Sequence, residues 1–141
     1  VVGLDLETSE AEQVVAHYGL ENVVLRREDV TRVTPPEAPF DVVVAADVLE
    51  HFEELEPPAA ALRRFLRPDG LLLTSLPTET GLYDGLRRLH GVTRPPDHYH
   101  TGFEVEEFLA RSGFRRLRRS CVPLGIPLAS LYLVSAWSRN G

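Results

Sequence analysis

The 141-residue sequence contains no methionine, no lysine and a single cysteine. One thiol excludes an intramolecular disulfide and a cysteine-only zinc cage, and Cys121 is expected to be a buried apolar group. The 15 basic side chains other than histidine are all arginine, a bias read as that of GC-rich coding rather than as chemistry. Against 21 acidic residues they leave a net charge of -6. That balance argues against nonspecific nucleic-acid or anionic-membrane binding, which draws on clustered cations. No run is apolar enough to span a bilayer and no secretory leader is visible, so a soluble cytoplasmic protein is expected. Without an initiating methionine the chain opens directly on Val1-Val2-Gly3-Leu4, and a strand with no polar leader is expected to be the cut edge of something longer.

What is present suits one packed domain over 1–141. A hydrophobic fraction of 43% is ordinary for a globular chain, and the length supports one core but not two. The first strand is expected from Val1 to Leu4, ending at Asp5. A helix capped by Thr8 or Ser9 should follow to Tyr18; Ser9 and Glu12 have capping-box spacing, and Gly19 is a stop signal. Asn22 to Arg26 reads as a second strand, before a loop rich in Pro35, Pro36 and Pro39. Phe40 to Ala46 is the best strand, its unbroken valines suggesting a central parallel position covered on both faces. Ala59 to Leu66 reads as a helix closed by Pro68-Asp69-Gly70, which leads into a strand at Leu71 to Leu76. Helices are expected near Gly81 to His90 and Val105 to Arg111, with Gly113 ending the second. Two strands, Phe114 to Cys121 and Leu131 to Trp137, close the chain.

This alternation is that of an open α/β sheet. The last two strands follow one another without a helix, so an antiparallel pair is expected at one edge. Ligands of such sheets bind beyond the carboxyl ends of the strands. The first strand ends at Asp5, whose carboxylate has the acceptors for both hydroxyls of a ribose, or simply complements a helix N-terminus. After the second strand come Glu28-Asp29-Val30, where Asp29 suits an adenine amino group and Val30 the ring; a solvated loop acid is the plainer reading. After the third, Ala45 and Ala46 leave room for a ligand, and Asp47, Glu50 and His51 follow closely. His51 has the pKa range of a general base, or is a helix residue that only hydrogen-bonds.

The segment Phe40-Asp41-Val42-Val43-Val44-Ala45-Ala46-Asp47-Val48-Leu49-Glu50-His51 resembles the FDxVxxxxVLEH motif of small-molecule class I S-adenosylmethionine-dependent methyltransferases. Leu66-Arg67-Pro68-Asp69-Gly70 resembles their LxPGG turn, with Asp69 for the first glycine. Val2-Gly3-Leu4-Asp5-Leu6, Glu28-Asp29-Val30 and the late segments His98–Phe103 and Ala110–Phe114 are similar to further family elements in the same order. The resemblance implies a Rossmann-like sheet, mostly parallel with an antiparallel C-terminal strand, N-terminally truncated. The family's first strand and GxGxG loop have no counterpart. It also implies S-adenosylmethionine as cofactor, held by Asp5, Leu6, Asp29, Val30, Ala45 and Ala46, with Glu50 and His51 as the catalytic pair and His98 or His100 as lesser base candidates. A small-molecule acceptor is expected, with O-methylation favoured; oligomeric state stays open. Asp47-x-x-Glu50-His51 is similar to an element of metal-assisted relatives, yet such pairs occur in metal-free ones, and no metal is expected. The competing readings are a noncatalytic methyltransferase-like scaffold and a nicotinamide-dependent oxidoreductase. The closing strand pair and the Leu49-Glu50-His51 element disfavour the latter.

Overall fold

In the computed structural model, which describes residues 1–91 and 96–139, strands and helices alternate as the apolar patterning predicts. β1 (Val2–Asp5), α1 (Ser9–Tyr18) and β2 (Val24–Arg27) come first. β3 (Phe40–Ala46), a 3-10 turn at Leu49–His51, α2 (Glu56–Phe65) and β4 (Leu66–Pro77) follow. Then come α3 (Gly81–Leu89), α4 (Gly102–Arg111), β5 (Phe114–Val122), a 3-10 turn at Pro127–Ala129 and β6 (Tyr132–Arg139). No helix of the described residues is long and apolar enough to cross a membrane.

Local chemistry explains most boundaries. α1 ends where Gly19 adopts a left-handed φ of 60°, and the last amides close onto Ala16 and Val15 carbonyls. The expected Ser9–Glu12 capping box does not form. Thr8 holds the N-cap, and its hydroxyl donates instead to the Glu12 carboxylate at 2.7 Å. A reciprocal box stands on α4, where Glu104 N–H donates to Thr101 Oγ1 and Thr101 N–H donates to the Glu104 carboxylate. α2 starts earlier than its apolar spacing suggests, because Pro57 and Pro58 are tolerated in a first turn, where no amide partner is needed. β4 starts directly after α2. Phe40 pairs with Leu66, the register then shifts, and Val42 pairs with Leu71, so Pro68-Asp69-Gly70 is an irregularity inside the strand rather than a turn before it.

β1 and β2 form a parallel pair, and the other strands form a sheet in the order β3-β4-β6-β5. β3 and β4 are parallel, while β6 runs antiparallel to both of its neighbours. The expected antiparallel pair is therefore present, but β6 lies inside the sheet and β5 takes the edge. That edge position leaves Cys121 half-buried rather than in the core. The core joins α2 and α4 to the β4–β6 face through Leu62, Leu72, Leu109, Phe114 and Trp137. α4 approaches so closely that a Cβ at Gly102 would lie 2.8 Å from the Pro77 carbonyl.

β3 departs from expectation. It is not covered on both faces: Val42 is 50% and Val44 65% exposed. Among the described residues β3 pairs only with β4, and β1 only with β2. Residues of both strands instead line one groove of about 710 Å³, among them Val2, Leu4, Val42 and Val44.

Candidate active site

Two of the parallel neighbours end in the same unusual way. Just beyond β3, Asp47 has a φ of 51°, and just beyond β4, Glu79 has a φ of 50°. Non-glycine residues rarely adopt the left-handed region, and when held there they concentrate at functional sites. The Asp47 amide donates to the Ser75 carbonyl at 2.9 Å, which fastens this bend to β4. The 3-10 turn that follows brings Glu50 inward and His51 to a partly exposed position.

A distant segment then meets this turn. Tyr99 N–H donates to the Glu50 carbonyl at 2.9 Å, which lays residues 97–99 alongside it. His51 Nδ1 is 3.0 Å from Asp97 Oδ2, and His98 Nδ1 is 2.8 Å from Glu79 Oε1. The two imidazoles meet edge to face with centroids 4.6 Å apart. The Glu79 side chain is fully buried and also pairs with Arg87, whose guanidinium lies 4.1 Å from the Tyr83 ring centroid. Tyr83 and Tyr132 hydroxyls are 3.4 Å apart. That contact, more than burial, holds the Tyr132 hydroxyl above the usual tyrosine range.

The electrostatics of the cluster centre on Glu50. Its side chain is 0% exposed, and neither carboxylate oxygen has a hydrogen-bond partner. Burial pushes it above the usual carboxylate range; its own backbone amide, outside hydrogen-bond geometry, opposes this, and the Asp47 charge adds to it. Asp47 is likewise pushed up by burial, against the pull of His98 and His51.

The nucleotide-facing candidates stand apart from this cluster. Asp5 closes β1, with Oδ1 accepting the Glu7 amide at 3.0 Å, and Leu6 beside it is 68% exposed. Asp29 Oδ1 accepts both the amide and the hydroxyl of Thr31, and these contacts hold its carboxyl below the usual aspartate range. Val30 and the buried Ala45 line the β1–β3 groove. Asp5, Leu6, Asp29 and Ala46 lie outside that lining. His100 also stands outside the Glu50 cluster, its Nε2 set 3.1 Å from the Glu53 carbonyl. Sequence reasoning missed Glu79, Arg87 and Asp97. Glu79 was readable by the rule that singled out Asp5 and Asp47, an acid just past a strand; Asp97, in a loop, carries no such signal.

Residues 1–74 match the family described as methyltransferase domain. The chain belongs to the class I S-adenosylmethionine-dependent methyltransferases. A probable S-adenosylmethionine-dependent methyltransferase of Mycolicibacterium smegmatis is 30% identical over 118 residues, which cover 81% of this methyltransferase chain. The same match spans 43% of that relative, less than half its length. Solved structures share the fold. The 1,6-didemethyltoxoflavin-N1-methyltransferase of Burkholderia thailandensis was solved with 1,6-didemethyltoxoflavin and S-adenosylhomocysteine bound. It superposes with a TM-score of 0.70 over 100% of this chain and 61% of its own, at 22% identity. The magnesium protoporphyrin IX methyltransferase of Synechocystis gives 0.70 over 99% and 64%, at 20% identity.

Proposed function

We propose that residues 1–141 act as one methyltransferase domain that binds S-adenosylmethionine across the carboxyl ends of β1, β2 and β3. In this reading Asp5 and Leu6 hold the ribose, Asp29 and Val30 the adenine, and Ala45 and Ala46 leave room beside β3. The acceptor is a small molecule rather than a nucleic acid, and an oxygen nucleophile is favoured. The observation that carries this reading is the His51–Asp97 contact at 3.0 Å beside buried Glu50, just past the strand that bears Ala45 and Ala46. A carboxylate on Nδ1 favours the tautomer that keeps a lone pair on Nε2, the state a proton acceptor needs. An acceptor oxygen attacks the methyl carbon, and the carbon–sulfur bond breaks with its electron pair on sulfur, leaving S-adenosylhomocysteine. The oxygen's proton passes to His51 Nε2, next to Glu50. In-line positioning supplies the larger part of such a rate enhancement.

The groove lined by residues of both β1 and β3 supports a second reading, a noncatalytic module that holds a ligand there without methyl transfer. Calorimetric titration of S-adenosylhomocysteine decides between them. It is run on this chain and on a chimera joining a strand and glycine loop from a structural relative to Val1. Binding by either form, with methyl transfer from labelled S-adenosylmethionine to a phenol panel, is the expected result. No binding by either form supports the module, and transfer to amines but not to hydroxyls overturns the oxygen preference.

A further inference from the structure

We infer that Glu50, His51 and His98 form a site for one divalent cation of the zinc class. Each offers a donor atom, and the three lie within 4.8 Å of one another. A point between three such atoms is at most about 2.8 Å from each, against bond lengths of roughly 2.0–2.2 Å for zinc with nitrogen and oxygen ligands. Small side-chain rotations close that difference.

Two features support a cation here. Glu50 is a fully buried carboxylate with both oxygens unpartnered, a costly arrangement unless a ligand completes it. Both imidazoles carry a carboxylate at Nδ1, Asp97 for His51 and Glu79 for His98. That is the outer contact by which metal-binding histidines are oriented and made more basic. Two imidazoles and one carboxylate form a ligand set that zinc accepts while keeping a position open for water or an acceptor oxygen. A bound ion would supply Lewis acidity towards that oxygen; His51 would then be a ligand, and the proton transfer to His51 proposed above belongs to the metal-free site. The site stands whether or not the acceptor is an oxygen.

The probe is zinc alone, titrated calorimetrically into the chelator-treated chain, with circular dichroism confirming that each variant is folded. One ion per chain is expected. Glu50→Gln and His98→Ala should each weaken binding at least a hundredfold, and Asp97→Asn about tenfold, the usual scale for an outer partner. His17→Ala, on α1, should bind as the parent does. Should Glu50→Gln fail to fold, the visible spectrum of the cobalt-loaded parent chain takes its place: intense bands of a low-coordinate, nitrogen-ligated ion support the site, whereas a hydrated-cobalt spectrum overturns it. Undiminished zinc binding by Glu50→Gln or His98→Ala also overturns it, as does the absence of binding by the parent. S-Adenosylhomocysteine binding measured on the same samples reports separately on the methyltransferase reading.

Discussion

Tyr99 donates its backbone N–H to the Glu50 carbonyl at 2.9 Å, and this bond joins the two halves of the Glu50–His51–His98 cluster. One half is the turn after β3, set by the bend at Asp47. The other is the segment that carries Asp97 and His98. Because the bond is made by main-chain groups, side-chain changes at Glu50 leave it in place and isolate the role of the carboxylate.

The buried carboxylate of Glu50, without a hydrogen-bond partner, should cost stability. An unpartnered buried polar group costs about 1–3 kcal/mol, and replacement by an apolar side chain of similar shape removes that cost. In the presence of a chelator, Glu50→Met is expected to stabilise the chain by about that amount in urea unfolding, while abolishing methyl transfer. A destabilised Glu50→Met chain would mean that the carboxylate has a partner in solution, and the argument for an unmet ligand position would fall.

The sequence made Glu50 and His51 visible because they are adjacent and follow a strand that the run Val42-Val43-Val44 marks plainly. It did not show that Asp97 and His98 reach them. That meeting depends on loop closure between residues far apart in the chain, which neither periodicity nor spacing encodes. The valine run identified β3 correctly but overstated its burial, since an apolar pattern says what a strand can bury and not what covers it. The capping boxes teach the same lesson. Ser9-x-x-Glu12 and Thr101-x-x-Glu104 have the same spacing, but only the second forms, because Thr8 takes the N-cap of α1 and turns its hydroxyl to Glu12.

Trp137, fully buried at the centre of β6, donates its indole N–H to Thr74 Oγ1 at 3.0 Å. Thr74→Val preserves the volume but leaves that donor unsatisfied, at a cost of about 1–3 kcal/mol. Thr74→Ser keeps the acceptor and should lose less. Urea unfolding of the two variants tests this ordering, and equal losses would show that packing rather than the hydrogen bond matters here.

The open edge of β3 should govern association. Val42 and Val44 are exposed on β3, which among the described residues pairs on one side only, and such edges template pairing between chains unless a charge blocks it. Sedimentation velocity of this chain is expected to show concentration-dependent self-association, and Val44→Lys should suppress it severalfold. The folding stability of Val44→Lys should stay within about 0.5 kcal/mol of the parent, as for other surface changes. Association unchanged by Val44→Lys would place the contact elsewhere.

Asp29 makes the acid limb of stability readable. The Thr31 hydroxyl at 2.7 Å and amide at 2.9 Å hold its carboxyl below the usual aspartate range, with Arg32 adding a smaller pull. In the unfolded chain it titrates near the ordinary value of about 3.9. A folded pKa below the unfolded one gives stability that is fully present above that value and is lost as the pH falls through the folded pKa. The loss is thus confined to pH below about 4, where the unfolded chain takes up the proton first. Thr31→Val removes the larger of the two contacts and keeps the amide. It should raise the Asp29 midpoint, followed by carboxyl-carbon NMR, lower the stability at neutral pH, and flatten the acid dependence, so that the urea-unfolding stabilities of the two proteins converge at low pH. At neutral pH Asp29 remains ionised in both proteins, so S-adenosylhomocysteine affinity should be retained wherever the parent binds. A midpoint that does not move would remove the hydroxyl as the cause of the depressed value. Lost affinity at neutral pH would instead mean that Thr31 positions Asp29 for the adenine, a role its charge alone does not supply.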